Sequence, residues 1–92
     1  MKNAIVYPSG YTEDLADPGE DGYSLGELQE IVGGYIEIVQ ATNGRIAVLD
    51  EEGKLKDKEL NALATQMAGE NNLRPGDYLV GTVLFCQPEH VK

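Results

Sequence analysis

Residues 24–49 read SLGELQEIVGGYIEIVQATNGRIAVL, and this stretch decides the fold. Ser24 followed by Glu27 is a capping box, in which the hydroxyl accepts from the Glu27 amide and the carboxylate reaches back to the Ser24 amide. Glu27 also sits in the first turn, where the helix dipole favours negative charge. Leu25, Leu28, Ile31 and Val32 then fall on one apolar stripe at helical spacing. Gly33-Gly34 ends that helix, with one glycine expected at positive φ. Tyr35 to Ala41 alternates as a strand, with Tyr35, Glu37 and Val39 on one face and Ile36, Ile38 and Gln40 on the other. Asn43-Gly44 is a strong hairpin signal, and Arg45 to Leu49 is the returning strand.

Working outward, Asn3 to Tyr7 is a short apolar strand stopped by Pro8 and Gly10. No apolar period fits residues 10–23, where Pro18-Gly19 and Asp21-Gly22 are turn dipeptides, so this segment reads as an acidic loop. Downstream, Asp50-Glu51-Glu52-Gly53 is a turn. Asp57 to Gly69 reads as a second helix, with Leu60, Leu63, Ala64 and Met67 on one stripe. Asn71 to Asp77 is a loop turned by Pro75-Gly76. Tyr78 to Cys86 is apolar on both faces, as a central strand is. The expected architecture is α+β, in the order β-α-β-β-α-β. It is the split βαβ, ferredoxin-like arrangement, with both helices on one face of the sheet. The opposite face would then be open and partly apolar, which invites a homodimer or another partner.

The 92 residues are expected to form a single domain, 1–92, with the acidic loop at about 10–23. The formal charge is −9, from sixteen acidic and seven basic residues. Between Gly10 and Glu30 lie Glu13, Asp14, Asp17, Glu20, Asp21, Glu27 and Glu30, with no Lys or Arg among them. Such a surface repels phosphate, so neither direct nucleic-acid binding nor binding to an anionic membrane is expected; a basic protein surface would be attracted. The longest uncharged apolar run, Tyr78 to Gln87, is too short to cross a bilayer. The N-terminal residues read as a strand and not as a signal peptide, so a cytoplasmic location is expected.

Catalytic chemistry is sparse. A nucleophile needs a base, and the one histidine, His90, lies beside the C-terminus. Cys86 sits in an apolar strand, where a thiol stays protonated, and it cannot form an intramolecular disulfide alone. No phosphate-binding Gly-x-x-x-x-Gly-Lys run occurs. Asp17 to Gly22 resembles half of an EF-hand loop, but Gly19 and Leu28 stand where oxygen ligands are required. The carboxylate pairs Glu51-Glu52 and Asp14-Asp17 lie in turn-like segments, where carboxylates are usually solvated. The chain is therefore read as no enzyme, with no cofactor and no metal site. Tyr11 and Tyr23 flank the acidic loop, and tyrosine beside carboxylates suits protein contacts, although both rings could instead pack the loop onto the body. Tyr35 and Glu37 share a strand face and are further contact candidates; the competing reading pairs Glu37 with Arg45 across the hairpin. The expected partner-binding residues are thus Tyr11, Glu13, Asp14, Asp17, Glu20, Asp21, Tyr23, Tyr35 and Glu37.

Leu25, Leu28, Gln29, Val32, Gly33, Gly34, Tyr35, Ile36 and Glu37 together resemble the core of a domain family of unknown function found in phages and mobile elements. The resemblance continues through the turn Asp50 to Leu55, through Asn61 and Ala64, and through Gly76, Asp77, Val80 and Gly81, covering about residues 3–87. It implies no enzymatic activity. Its context implies an accessory protein of a phage or mobile element, acting in the host cytoplasm. Such a protein would bind and inhibit a host protein, for example a nucleic-acid-targeting defence factor, through the acidic surface. The alternative expectation is a homo-oligomer that binds or sequesters a nucleotide signal, with the Gly33 and Gly34 amides and the Tyr35 ring at its site.

Overall fold

The computed structural model describes residues 3–91. Five strands, β1 (Asn3–Val6), β2 (Thr12–Leu15), β3 (Ile36–Gln40), β4 (Ile46–Asp50) and β5 (Val83–Cys86), form one sheet in the order β2-β1-β5-β4-β3. Every neighbouring pair is antiparallel. Two helices accompany it, α1 (Leu25–Val32) and α2 (Ala62–Ala68). The α+β class holds.

The split βαβ order is not the one formed. That arrangement joins two parallel strands through each helix with another strand between them, whereas here β4 and β5, which flank α2, are antiparallel neighbours in the sheet. The last strand, β5, sits in the middle, between β1 and β4. This is where its two apolar faces want to be. Val83 and Phe85 enter one core with Val6, Ala47, Leu49, Ala64 and Ala68; Leu84 and Cys86 enter the other with Ile5, Ile46, Val48, Leu28 and Val32. The helices therefore cover opposite faces, α2 over the first core and α1 over the second. Neither the single helical layer nor the open sheet face expected from the sequence exists. The physical reason was present in β4 and β5, where every residue is buried. Strands buried on both sides need a cover on both sides.

The acidic loop also needs correction, because β2 lies inside it. Gly10 donates to the Tyr7 carbonyl at 2.9 Å and Tyr7 to the Tyr11 carbonyl at 2.9 Å. The Pro8 to Gly10 stop is thus a hairpin turn, and Glu13 pairs with Ile5. An edge strand with three exposed residues out of four shows no apolar period, since backbone pairing holds it.

The ends of the other elements shift for local reasons. The second helix begins at Ala62 and not at Asp57, because Asp57 takes φ +55° and Asn61 supplies the cap. Regular β5 is shorter than the apolar run, since Leu79 and Val80 leave the sheet and Val80 bridges to Leu60. The capping box at Ser24 forms, with both hydrogen bonds at 3.1 Å. Ser24→Ala should lower stability by about 1 kcal/mol, within the usual ~0.5–2 for an N-cap, and leave binding unchanged. A melting curve superimposable on that of the wild type would remove Ser24 from this role.

Candidate functional site

The nine contact candidates do not come together. Six lie on β2 or in the segments next to it in the chain: Glu13 and Asp14 on the strand, Tyr11 just before it, and Asp17, Glu20 and Asp21 after it, all exposed. Tyr35 and Glu37 are exposed at the opposite edge, on and just before β3, with three strands between the two groups. Tyr23 belongs to neither group. It is buried in the α1-side core, its hydroxyl donates to the Ala16 carbonyl at 2.7 Å and accepts from Asn3 Nδ2 at 2.8 Å. Its ring pins the acidic segment to the body and is not offered to a partner.

At the acidic edge the Tyr7 hydroxyl donates to Glu13 Oε1 at 2.9 Å, and the Tyr7 and Tyr11 rings stack with centroids 5.7 Å apart. The bond to Glu13 raises the Tyr7 phenol, with burial adding to it. Asp17 accepts from Asn3 Nδ2 at 3.3 Å. The edge is thus an ordered strand with its aromatic rings fixed.

At the other edge, the register sets Glu37 opposite Leu49, so the expected pairing with Arg45 does not follow from the hairpin. Arg45 lies instead over the Phe85 ring, 5.7 Å from its centroid, and donates Nη2 to the Phe85 carbonyl at 3.2 Å. Cys86 is fully buried, and burial pushes its thiol up to about 11, as expected for an inert core residue.

By sequence Asp50 is one residue of an acidic turn. It is instead a buried hub. Its carboxylate accepts from Lys58 Nζ at 2.7 Å, Lys56 Nζ at 2.9 Å and the Glu52 amide at 2.9 Å. Lys58 also donates to the Val32 carbonyl at 2.8 Å. The last turn of α1 carries no basic residue of its own, so Lys56 and Lys58 bring positive charge to the negative end of its dipole from another part of the chain. Gly33 takes φ +82° as the C-cap, and its amide and that of Gly34 both bond to the Gln29 carbonyl. A Cβ on Gly34 would lie 2.8 Å from both Asp50 oxygens, so this close approach requires glycine.

The Gly-Gly-Tyr core and the acidic turn are therefore one structural unit, held together by Asp50. The chain belongs to DUF3846. That family, described as a domain of unknown function, is matched by residues 1–91. No curated protein and no solved structure matches the chain. Among the described residues of this DUF3846 domain, no three His, Cys, Asp or Glu side chains are grouped to hold a metal ion, and no helix is long and apolar enough to cross a membrane.

One concave feature lies beside β3. A groove of about 270 Å³ has Val39, Leu49, Leu79 and Val80 in its lining, with Leu55 and Tyr78 exposed at its margin. Lys54 lies 4.4 Å above the Tyr78 ring and pairs with Asp77. The groove has no sequence signal of its own because it depends on long-range packing, and the Asp50 hub has none because its partners Glu52, Lys56 and Lys58 lie in a turn whose path the folded chain defines.

Proposed function

We propose that this chain is a non-enzymatic accessory protein of a phage or mobile element that binds and inhibits a host protein through its acidic β2 edge. The partner would carry a basic surface, as a nucleic-acid-targeting defence factor does. The observation that carries this reading is the position of β2 as the outermost strand, with Glu13, Asp14, Asp17, Glu20 and Asp21 exposed along it and after it. No Lys or Arg occurs between Lys2 and Arg45 to interrupt that strip. A row of carboxylates on a rigid edge can occupy a groove built for phosphates, with charge steering the encounter. The nucleotide-binding alternative has less support, because the Gly33 and Gly34 amides it would use are bonded to Gln29.

Reversing Glu13, Asp14, Glu20 and Asp21 to Lys should leave the melting temperature within a few degrees, since exposed carboxylates add little to stability. It should also abolish capture of the host partner from lysate at about 0.15 M salt, and raising the salt should weaken wild-type capture similarly. Partners retained equally by both forms in high salt would place the contact elsewhere.

A further inference from the structure

The two edges of the sheet are built differently. The β2 edge carries consecutive carboxylates at Glu13 and Asp14, so both of its faces are charged, which guards an unpaired edge against further pairing. The β3 edge, Ile36–Gln40, has one charge, Glu37, no proline and no bulge, and leaves Ile38 half exposed. Its hydrogen-bonding phase can be read from the bonds at its ends. The Ala41 amide donates to the Arg45 carbonyl and the Glu51 amide to the Tyr35 carbonyl. Odd-numbered residues of β3 therefore bond to β4, and the amides and carbonyls of Ile36, Ile38 and Gln40 point outward, as the alternation of an antiparallel ladder requires. Among the described residues nothing bonds to them. A second observation stands beside the first. Glu37 and Val39, on the other phase of the same strand, line the groove.

We infer that the β3 edge and the groove together bind an extended peptide segment of another protein, added as a sixth strand, with apolar side chains in the groove and Lys or Arg opposite Glu37. In strand addition the main chain supplies affinity and pockets for alternate side chains supply selectivity; this edge has both parts. The apolar residues of the groove, among them Val39, Leu49, Leu79 and Val80, would receive side chains from one phase of the added strand; its lining also holds Lys54 and Arg74 with Glu51 and Asp77, which balance in charge, and Asp50, already paired with Lys56 and Lys58. The other phase would lie beside Ile36 and Ile38. Charge decides the occupant. A second copy of this chain would bring another −9, and antiparallel pairing of two β3 strands about Ile38 would set the two Glu37 carboxylates diagonally across from each other. A basic segment meets Glu37 with the opposite sign. The inference does not depend on the acidic β2 edge, from which it is separated by the width of the sheet.

The test is selection of displayed random peptides of about ten residues on the intact chain, long enough to span β3 at ~3.3 Å per residue. Selected sequences should carry a Lys or Arg two positions from an apolar residue, opposite Glu37 and Val39 on the groove face, with apolar residues in the phase beside Ile36 and Ile38. A synthetic copy of one should shift the amide resonances of Ile36, Ile38 and Gln40 and leave those of residues 12–21 in place. Ile38→Pro removes an outward donor without removing a bond to β4, and should weaken binding tenfold or more, whereas Ile38→Val should change it by less than about threefold. N-methylation of alternate peptide residues needs no protein variant: one phase should abolish binding and the other should spare it. Failure to enrich any sequence with a basic residue two positions from an apolar one, shifts confined to residues 12–21, or equal binding by both N-methylated phases would overturn the inference. So would a dimer formed through β3 that excludes the peptide.

Discussion

Asn61→Asp is expected to cost about 4 kcal/mol or more and to leave much of the chain unfolded at room temperature. Asn61 is fully buried. Its Oδ1 accepts from the Ala64 amide at 3.0 Å, which caps α2, and its Nδ2 donates to the Val6 carbonyl at 2.9 Å and the Gly81 carbonyl at 2.8 Å. One side chain thus joins α2, the end of β1 and the approach to β5. A carboxylate keeps the cap but replaces the one nitrogen that donates both of the other bonds with an oxygen facing two carbonyl oxygens. Each orphaned buried group costs roughly 1–3 kcal/mol, and a buried charge adds to that. The whole domain has only about 5–14 kcal/mol to lose at its length. Asn61→Ala loses all three bonds but buries no charge, so it should cost less, about 2–4 kcal/mol. Urea titrations of the two variants decide the matter; an Asp variant no worse than the Ala variant would mean that the amide is not held between those carbonyls.

Much of this fold was legible where the signal is local. The Ser24 cap, the Gly33 C-cap and the β3–β4 hairpin follow from side-chain chemistry within a few residues. Local signal runs out where the arrangement is decided by the whole sheet. Nothing in residues 46–50 or 83–86 says which strands they lie beside, yet their two-faced apolar pattern already required a helix on each side. That clue excluded the single-layer arrangement. β2 was missed because an edge strand needs only backbone pairing, and Thr12 to Leu15 has no apolar face to display. Of the contact candidates, Tyr23 looked like its neighbours in the sequence and differs only through its long-range bonds to Asn3 and Ala16. Exposed carboxylates were readable because solvation is the default for charge. Asp50 was not, because its partners lie in a turn whose path only the folded chain defines.

Asp50→Asn should show what that hub contributes, and its pH dependence identifies the cause. The Asp50 side chain is 1% exposed, against 41% for Lys56 and 25% for Lys58. Burial alone would raise its carboxyl, but the bonds from Lys58, Lys56 and the Glu52 amide outweigh burial and hold it at about 2, below its ordinary 3.8. A depressed folded value means that the stabilisation is present above about pH 4 and is lost as the pH falls through about 2, with a magnitude of roughly 2 kcal/mol. Substituting Asn removes the charge at every pH. It leaves two ammonium groups at the end of α1 and Gly34 facing an amide. Loss of one partner of a buried pair costs about 3–5 kcal/mol; both lysines can turn toward water, which reduces the expected cost to about 2–4. In a domain of this size that lowers Tm by of order 10–20 °C. The difference between wild type and variant should be large at neutral pH and shrink between about pH 4 and pH 2, because the wild type loses there what the variant already lacks. A difference that stays constant over that range would show that shape and hydrogen bonding at position 50, and not the carboxylate charge, hold the Gly33-Gly34 turn against β4.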